Sequence, residues 1–309
     1  MFKHLLIATD GSFAAGAATR TALRLARACG ASVTAVHVIE PFRAVTYGQM
    51  MLLPQCEAEY LNQARNEATG FLRDVEAMAA EEGLPCGTVH EVNTPVHRTI
   101  EDLAHAHACD LIVTGSHGRR GLQSLLLGSE TQKILFTTGL PVLVCPEPPA
   151  YLSLLGDAST REDSREGAKA FRKMLLVVDG SEGAHRCAVR CMELAASLRC
   201  QVQALYVMSP LPAVDRIADV IEGDVCRNRA MRRAQIALDE IAEAAAARGV
   251  PLVSGYAVDP RYDVAILDHA RHGGCDLIVL HGHAHDARSL RHVARNVILD
   301  GENPVLVFP

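Results

Sequence analysis

The stretch from Gly115 to Ser129, GSHGRRGLQSLLLGS, holds the residues whose types and spacing best suit ligand binding. Two residues separate Gly115 from Gly118, nine separate Gly118 from Gly128, and Ser129 follows directly. Glycines let a backbone approach a ligand because no Cβ stands in the way. Ser129 comes where a helical pattern begins and is predicted to cap that helix, whose free amides and positive dipole end would attract an anion. Phosphate is the anion that best explains this combination.

Asp10 ends the first predicted strand, in the segment ATDGS. In a doubly wound sheet the first and fourth strands are neighbours where the strand order reverses, so Asp10 and Gly115 are expected to face each other across that crevice. A carboxylate at this place can accept hydrogen bonds from ribose hydroxyls. The alternative is that Asp10 only turns the chain and caps the following helix. Arg119 and Arg120 would add positive charge beside the glycines.

Other nucleotide and catalytic signatures are missing from the sequence. There is no G-x-x-x-x-G-K-[ST] loop, and the first turn, DGSFAAGA, is not G-x-G-x-x-G, which excludes a P-loop ATPase and a typical dinucleotide enzyme. There is no G-x-S-x-G elbow, and the adjacency of Ser116 and His117 does not by itself make a catalytic dyad. We therefore expect no dedicated catalysis and at most slow hydrolysis of a bound nucleotide.

Three histidines alternate in the segment HGHAH, at His281, His283 and His285. In an extended segment alternate side chains share a face, so three imidazoles could meet one zinc or nickel ion. The alternative is that these are solvated loop histidines without a metal. We favour the second interpretation because no convincing fourth ligand is placed nearby.

The chain contains one long internal repeat, in which Asp10 corresponds to Asp179. The offset between equivalent residues is 169 at the first strand, 166 at the segment DLIV and 163 at the segment PVLV. A repeat of this length indicates two whole domains. We predict domains at 1–146 and 172–309, joined by a linker at 147–171 that is rich in proline, serine and charge.

Each copy alternates short apolar runs with amphipathic stretches of helical period. This pattern predicts an α/β fold with two tandem doubly wound domains, each a five-stranded parallel sheet with flanking helices and strand order 3-2-1-4-5. In the first copy the predicted strands are 4–9, 32–38, 86–92, 110–114 and 141–145, and the predicted helices are 14–29, 55–82, 96–107 and 129–137. The long loop at 39–54 is expected either to cover a site or to be plain surface.

Composition narrows the class of protein. The 309 residues carry a net charge of −6, which gives no electrostatic reason to expect a nucleic-acid partner. No run is long enough for a membrane helix, and the apolar run near Met1 is too short for a signal peptide. The ten cysteines are expected to be free thiols of a cytoplasmic protein, with Cys187 and Cys191 as small helix residues and not a redox pair.

The segment ATDGS and the pattern G-x2-G-x9-G-[ST] together resemble those of the universal stress proteins, over nearly the whole chain and in tandem. The resemblance implies a bound adenine nucleotide, ATP above all, with Mg²⁺ at its phosphates. It implies that Asp10 meets the ribose, that Val38 meets the adenine edge through its backbone, and that Gly115 lies near the ribose. It places the remaining site residues around the phosphates: Gly118, Arg119, Gly128, Ser129 and Glu130.

The second copy departs from this pattern. His281 falls where Gly115 would be, Ala284 replaces Gly118, and Arg291 and His292 replace Gly128 and Ser129. Side chains then occupy places where a backbone had to approach phosphate, so we predict that the second copy does not bind ATP in this manner. Its expected role is that of a pseudo-symmetric partner within the chain, with a homodimer of whole chains as a further possibility.

These inferences predict a cytoplasmic stress-response protein that binds an adenine nucleotide in its first domain and acts as a regulatory or sensing module. Two alternatives stay open. One is an enzyme that hydrolyses ATP slowly, and the other is an interaction or chaperone-like protein that works without ATP. The protein partner and the stress signal do not follow from the sequence.

Overall fold

The computed structural model describes residues 1–42, 54–118, 127–147, 169–210, 217–282 and 287–309. Within these residues the chain divides into two compact units, each of which is described by itself. The first unit alternates strands and helices in the predicted order: β1 (His4–Ala8), α1 (Phe13–Cys29), β2 (Ser32–Ile39), α2 (Pro54–Glu81), β3 (Cys86–Val92), α3 (Val96–Ala106), β4 (Leu111–Gly115), α4 (Ser129–Thr137) and β5 (Val142–Cys145).

The five strands of the first unit pair in parallel in the order β3-β2-β1-β4-β5. Leu5 of β1 pairs with Val33 of β2 on one side and with Leu111 of β4 on the other. The predicted strand order 3-2-1-4-5 is therefore confirmed. Because the order reverses between β1 and β4, the loops that leave these two strands diverge and open a crevice at the carboxyl edge of the sheet.

The core of the first unit is built from small and branched aliphatic side chains. Leu5, Leu6 and Ile7 of β1 are completely buried, as expected for a central strand of a parallel sheet with helices on both faces. The helix α1 begins cleanly because the Ser12 hydroxyl accepts a 3.2 Å hydrogen bond from the Ala15 amide. The end of β1 and the start of α1 are thereby fixed relative to each other.

The second unit repeats the same order of elements. It consists of β6 (Lys173–Val178), α5 (Glu182–Leu198), β7 (Gln201–Met208), α6 (Ile217–Ala246), β8 (Leu252–Val258), α7 (Tyr262–Gly273), β9 (Leu277–His281), α8 (Ala287–Asp300) and β10 (Val305–Phe308). Its strands pair in parallel as β8-β7-β6-β9-β10. The two halves of the sequence repeat therefore share one topology.

One carboxylate tether is common to both units. The Asp110 side chain accepts a 2.8 Å hydrogen bond from the Lys3 amide, and Asp276 accepts one of 2.7 Å from the Arg172 amide. Each bond ties the residue before the fourth strand of a unit to the start of its first strand. These equivalent contacts follow from the sequence repeat DLIV and confirm its register.

The described cysteines form no disulfide and are buried or half-buried thiols. Cys187 and Cys191 lie one turn apart in α5, and burial raises the pKa of the Cys191 thiol to about 12. Both are buried residues of the helix, which is the position that was predicted for them. Among the helices that the structure describes, none has the length and hydropathy needed to cross a membrane.

Candidate functional site

The turn after β1 presents Asp10 at the carboxyl edge of the sheet. The Asp10 Oδ1 atom accepts a 3.0 Å hydrogen bond from the Ser12 amide, and Ser12 in turn caps α1. The helix cap is therefore Ser12, while Asp10 closes the turn with one carboxylate oxygen. This geometry holds the second oxygen of Asp10, Oδ2, at the mouth of the crevice between β1 and β4.

Gly118 lies directly against this carboxylate. A Cβ added to Gly118 would stand 2.6 Å from Asp10 Oδ2, which is closer than nonbonded carbon and oxygen atoms approach. The two residues are 108 positions apart in the sequence, so the fold brings the turn after β1 and the glycine loop after β4 into contact. A larger residue at position 118 would displace the Asp10 carboxylate.

Gly115 and Gly128, on either side of Gly118 in the sequence, leave room for neighbouring segments of the chain to pack closely. A Cβ on Gly115 would lie 2.9 Å from the Ala14 carbonyl carbon, so the bare backbone at this position lets α1 pack on the end of β4. A Cβ on Gly128 would lie 3.3 Å from the Ser116 carbonyl oxygen, to which the Gly128 amide donates a 2.9 Å hydrogen bond. Both ends of the glycine loop are therefore held against β4.

The helix α4 begins one residue earlier than a Ser129 cap would require. Ser129 is the first helical residue, and Gly128 occupies the N-cap position with backbone φ −52° and ψ 135°. The prediction that Ser129 caps α4 is wrong because the hydrogen bond from Gly128 to Ser116 fixes Gly128 at the cap. Since glycine has no side chain to accept from the first amides, the cap residue leaves them available to another acceptor.

Glu130 directs its carboxylate to α3. One oxygen accepts hydrogen bonds from the amide and ring Nδ1 of His97, at 2.9 and 3.1 Å, and the other accepts from Lys133 at 2.6 Å. The Pro95 cap of α3 supplies no side-chain acceptor, so Glu130 caps that helix from α4. Partial burial opposes ionisation, but the hydrogen bonds from Lys133 and His97 outweigh it and lower the pKa of Glu130.

We expect the Glu130→Gln variant to lose stability at neutral pH and not at acid pH. A carboxylate whose pKa is lowered by folding stabilises the protein above its unfolded pKa, and this contribution disappears as the pH falls through the folded pKa. Because the side chain is partly exposed, the loss should stay below about 1 kcal/mol. Urea unfolding of both proteins at pH 7 and pH 3 measures it, and an equal difference at the two pH values would contradict the assignment.

Val38 lies near the end of β2, half-buried and paired with Glu91 of β3. Its neighbour His37 donates a 2.7 Å hydrogen bond from Nδ1 to the Thr9 carbonyl oxygen, which fixes β2 to the residue before Asp10. His37 belongs to none of the motifs recognised in the sequence. The signal for it was an imidazole near the end of a strand, β2, whose carboxyl end lies at the same edge of the sheet as Asp10.

Gly11 is the residue that allows this turn. Its φ of +74° lies in the left-handed region, and a Cβ added there would overlap the Phe71 ring of α2. The same ring meets the His37 imidazole edge to face, with centroids 5.4 Å apart. Phe71 and His37 therefore form one wall behind the turn that carries Asp10.

Ser116 and His117 interact directly. The Ser116 Oγ and His117 Nδ1 atoms are 2.9 Å apart, although sequence adjacency gave no reason to expect this bond. The chain leaves β4 at Gly115, so the two side chains are freed from the alternation that would send them to opposite faces of a strand. Ser116 is only 1% exposed, so its hydroxyl is not presented as a nucleophile.

Some predicted residues lie outside the described ranges. These are Arg119, Arg120, His283, His285, Ala284 and most of the loop 39–54. Within the described residues, no group of three histidine, cysteine, aspartate or glutamate side chains is arranged to hold a metal ion.

The universal stress protein family model matches residues 1–146 and 170–309. The chain belongs to the universal stress protein family. It is 32% identical over 151 residues to universal stress protein MJ0531 of Methanocaldococcus jannaschii, covering 48% of this chain and 84% of that one. It is 29% identical over 148 residues to universal stress protein YxiE of Bacillus subtilis, covering 47% of this chain and 99% of that one.

A solved universal stress protein from Archaeoglobus fulgidus matches nearly the whole chain. The TM-score is 0.64 at 16% identity, with 98% of this chain and 95% of that chain covered. At this identity the likeness concerns the fold. The curated relatives each match about half of the chain, in keeping with two universal stress protein units in tandem.

The second universal stress protein unit fills the equivalent place with its own side chain. His281 ends β9 where Gly115 ends β4, and it is 7% exposed with its ring directly on Gly183 of α5. Gly183 stands where the first unit has Ala14. The first unit pairs glycine on the strand with alanine on the helix, and the second pairs histidine on the strand with glycine on the helix. His281 is thus a packed core residue.

The side chains that pack behind the turn after β6 also differ from those behind the turn after β1. Tyr206 stands where the first unit has His37, and its hydroxyl donates a 3.1 Å hydrogen bond to the Asp179 carbonyl oxygen. The Phe71 position is taken by Ala237, so the aromatic ring behind Gly180 comes from a strand instead of a helix. Asp179 still accepts a hydrogen bond from the Ser181 amide, as Asp10 does from Ser12. The turn is therefore the same in both units, and the side chains packed behind it differ.

Proposed function

We propose that the first unit binds an adenine nucleotide, ATP, at the carboxyl edge of its sheet, and that binding serves a regulatory or sensing role in a stress response. The observation that carries the proposal is the contact between Asp10 and Gly118 at the point where the strand order reverses. It brings together a carboxylate suited to ribose hydroxyls and a glycine loop suited to phosphates. Parallel α/β sheets place their ligands at this point.

The start of α4 supports a phosphate at the other end of the site. Gly128 caps this helix without a side chain, and the helix runs for nine residues, long enough to concentrate positive potential at its first amides. Ser129 then contributes its amide and hydroxyl, and Glu130 contributes its amide, since its carboxylate is taken by α3. The nucleotide would extend from Val38 and Asp10 to the start of α4.

The described residues fit Mg²⁺ only as a companion of the phosphates. Asp10 is the acidic side chain at the crevice, and Glu130 is engaged with His97 and Lys133. Mg²⁺ commonly keeps several waters and binds through substrate phosphates with one or two carboxylates. We propose that the ion arrives with the nucleotide and that its charge is met by the phosphates and Asp10.

The second unit is proposed not to bind a nucleotide in this way. The His281 ring packs on Gly183 of α5, and in the sequence Ala284 replaces the glycine that lies against Asp10 in the first unit. We therefore propose one nucleotide for each chain. Equilibrium titration of the full chain with ATP tests this number directly, because a stoichiometry of two would contradict it.

Calorimetric titration of the full chain with ATP and Mg²⁺ tests the site. We expect Gly118→Val to lower ATP affinity at least about 10-fold, because a side chain at position 118 displaces the Asp10 carboxylate and narrows the crevice. Gly139→Val is the matched control, since no atom lies within 4 Å of a Cβ at Gly139, and it should bind as the wild type does. Equal binding by all three proteins would refute the assignment.

The same preparation separates the proposed role from the two alternatives. Release of many phosphates per chain, abolished by Asp10→Ala, would indicate an ATP-hydrolysing enzyme. Absence of binding by the wild type would indicate a protein that works without ATP. Tight binding with negligible turnover is the result that the proposal expects.

A further inference from the structure

Among the described residues of the glycine loop, which runs from Gly115 to Ser129, His117 has a buried ring nitrogen without a hydrogen-bond partner. The Nε2 atom of His117 is shielded from solvent and has no hydrogen-bond partner among the residues that the structure describes. The other ring nitrogen, Nδ1, is engaged by the Ser116 hydroxyl at 2.9 Å. A buried imidazole nitrogen left without a partner loses its hydration and gains nothing in return, which opposes folding.

The position of His117 is fixed from both sides. Its predecessor, Ser116, donates its amide to the Cys145 carbonyl at 2.8 Å and accepts the Gly128 amide at 2.9 Å. Its successor, Gly118, lies against Asp10. A Cβ on Gly128 would also lie 3.7 Å from the His117 Cα atom, so His117 adjoins the residue that caps α4. The backbone of His117 therefore lies between the residues proposed to contact ribose and those proposed to contact phosphate.

The Ser116 hydroxyl lies 2.9 Å from His117 Nδ1, and the direction of this hydrogen bond sets the tautomer of a neutral imidazole. A serine hydroxyl that donates to Nδ1 leaves a neutral imidazole with its proton on Nε2, so that Nε2 is a hydrogen-bond donor. A donor at this place suits an anionic oxygen, which is the group that the adjoining helix start also favours. The partner of Nδ1 would thereby fix the hydrogen-bonding role of Nε2.

We propose that His117 Nε2 donates a hydrogen bond to a phosphate oxygen of the bound nucleotide, with Ser116 as the positioning residue that sets the tautomer. This inference rests on the proposed function and extends it by assigning a side-chain phosphate contact. It follows that His117 distinguishes nucleotides from nucleosides. Its contribution appears only when the ligand carries phosphate.

Titration with ATP and with adenosine tests the assignment in the full chain. We expect His117→Ala to weaken ATP binding about 10-fold to 100-fold and to leave adenosine binding within about 2-fold of wild type. His117→Gln places an amide donor near Nε2 and should retain most of the ATP affinity, whereas His117→Asn places it near Nδ1 and should behave as alanine does.

Each outcome bears on the proposal. Unchanged ATP binding by His117→Ala overturns the phosphate contact while leaving the nucleotide site intact. An equal loss of ATP and adenosine binding overturns it as well, because the residue would then act on the fold of the site. A wild type that binds neither ligand refutes the proposed function itself, and the inference with it.

The tautomer is tested separately by NMR. Long-range ¹H–¹⁵N spectra of the neutral imidazole should show the proton of His117 on Nε2 in the wild type, and Ser116→Ala should reduce this preference. A purely structural role for Ser116 would leave the tautomer unchanged. A wild-type proton on Nδ1 would overturn the proposal.

Discussion

Gly183→Ala is expected to destabilise the second unit by about 2 kcal/mol, against the usual direction for a glycine in a helix. Glycine to alanine in a helix interior normally stabilises by about 0.5–1 kcal/mol. Here a Cβ at position 183 would overlap the buried His281 ring, and overpacking of this kind costs about 1–3 kcal/mol or more. Hydrogen exchange in urea, followed on peptides from α5 and β9, measures the change within the second unit.

Two control variants isolate the role of the imidazole. Gly183→Ala combined with His281→Gly recreates the pair found in the first unit and should be more stable than Gly183→Ala alone. Gly70→Ala, in an open part of α2 with no atom within 4 Å of the new Cβ, should stabilise its helix by about 1 kcal/mol. If Gly183→Ala stabilised as Gly70→Ala does, the packing of His281 on α5 would be wrong.

Gly11→Ala is expected to destabilise the first unit by about 3 kcal/mol and to abolish ATP binding. The left-handed φ of +74° accounts for about 1–2 kcal/mol, and overlap of the new Cβ with the Phe71 ring adds a comparable amount. Relief of either strain moves the turn that carries Asp10, so the loss of affinity should exceed the loss caused by Gly118→Val. Hydrogen exchange on peptides from β1 and α1, together with calorimetric titration, measures both effects.

Gly180→Ala supplies the matched comparison in the second unit. Gly180 has nearly the same φ, +76°, but a Cβ there would meet the Tyr206 ring at 3.4 Å, an ordinary contact distance. We expect a cost of about 1–2 kcal/mol, from the backbone alone. Equal costs for Gly11→Ala and Gly180→Ala would show that Phe71 contributes nothing to the strain.

The fold could be predicted because the signals that set it are local and were present twice. The first helix was predicted from residue 14 and begins at Phe13, and the fourth strand was predicted at 110–114 and runs from Leu111 to Gly115. Apolar runs that fill a buried parallel strand, followed by stretches of helical period, leave few alternatives for the order of elements. Because the pattern occurs twice, each element of one half could be aligned with its equivalent in the other.

The details of the site depended on contacts between distant residues, which no local pattern encodes. Ser129 has the residue type of a helix cap, but Gly128 is held in that position by the Ser116 carbonyl across the loop. Glu130 follows directly on Gly128 and Ser129, which are proposed to bind phosphate, but its carboxylate accepts a hydrogen bond from the His97 amide. In each case a tertiary hydrogen bond overrode the local preference.

The environment of His281 likewise could not be predicted from a local sequence pattern. The alternation HGHAH was interpreted as solvated loop histidines, with a metal-binding strand as the alternative, but β9 includes His281 as its last residue and the ring lies buried on Gly183. The compensating glycine was present in the sequence at the position equivalent to Ala14. Its meaning depends on knowing that the first helix of each unit packs on the end of the fourth strand, which only the structure shows.

The reciprocal exchange of Gly115 and Ala14 for His281 and Gly183 also restricts how the two halves can change. A histidine at position 115 would have to enter space bounded by the Ala14 backbone, and a glycine at position 281 would leave a void under the sheet. Converting this contact of one half into that of the other takes two substitutions, and either single substitution is expected to be destabilising. This packing alone is therefore expected to keep the two halves of the repeat distinct, independently of the proposed nucleotide site.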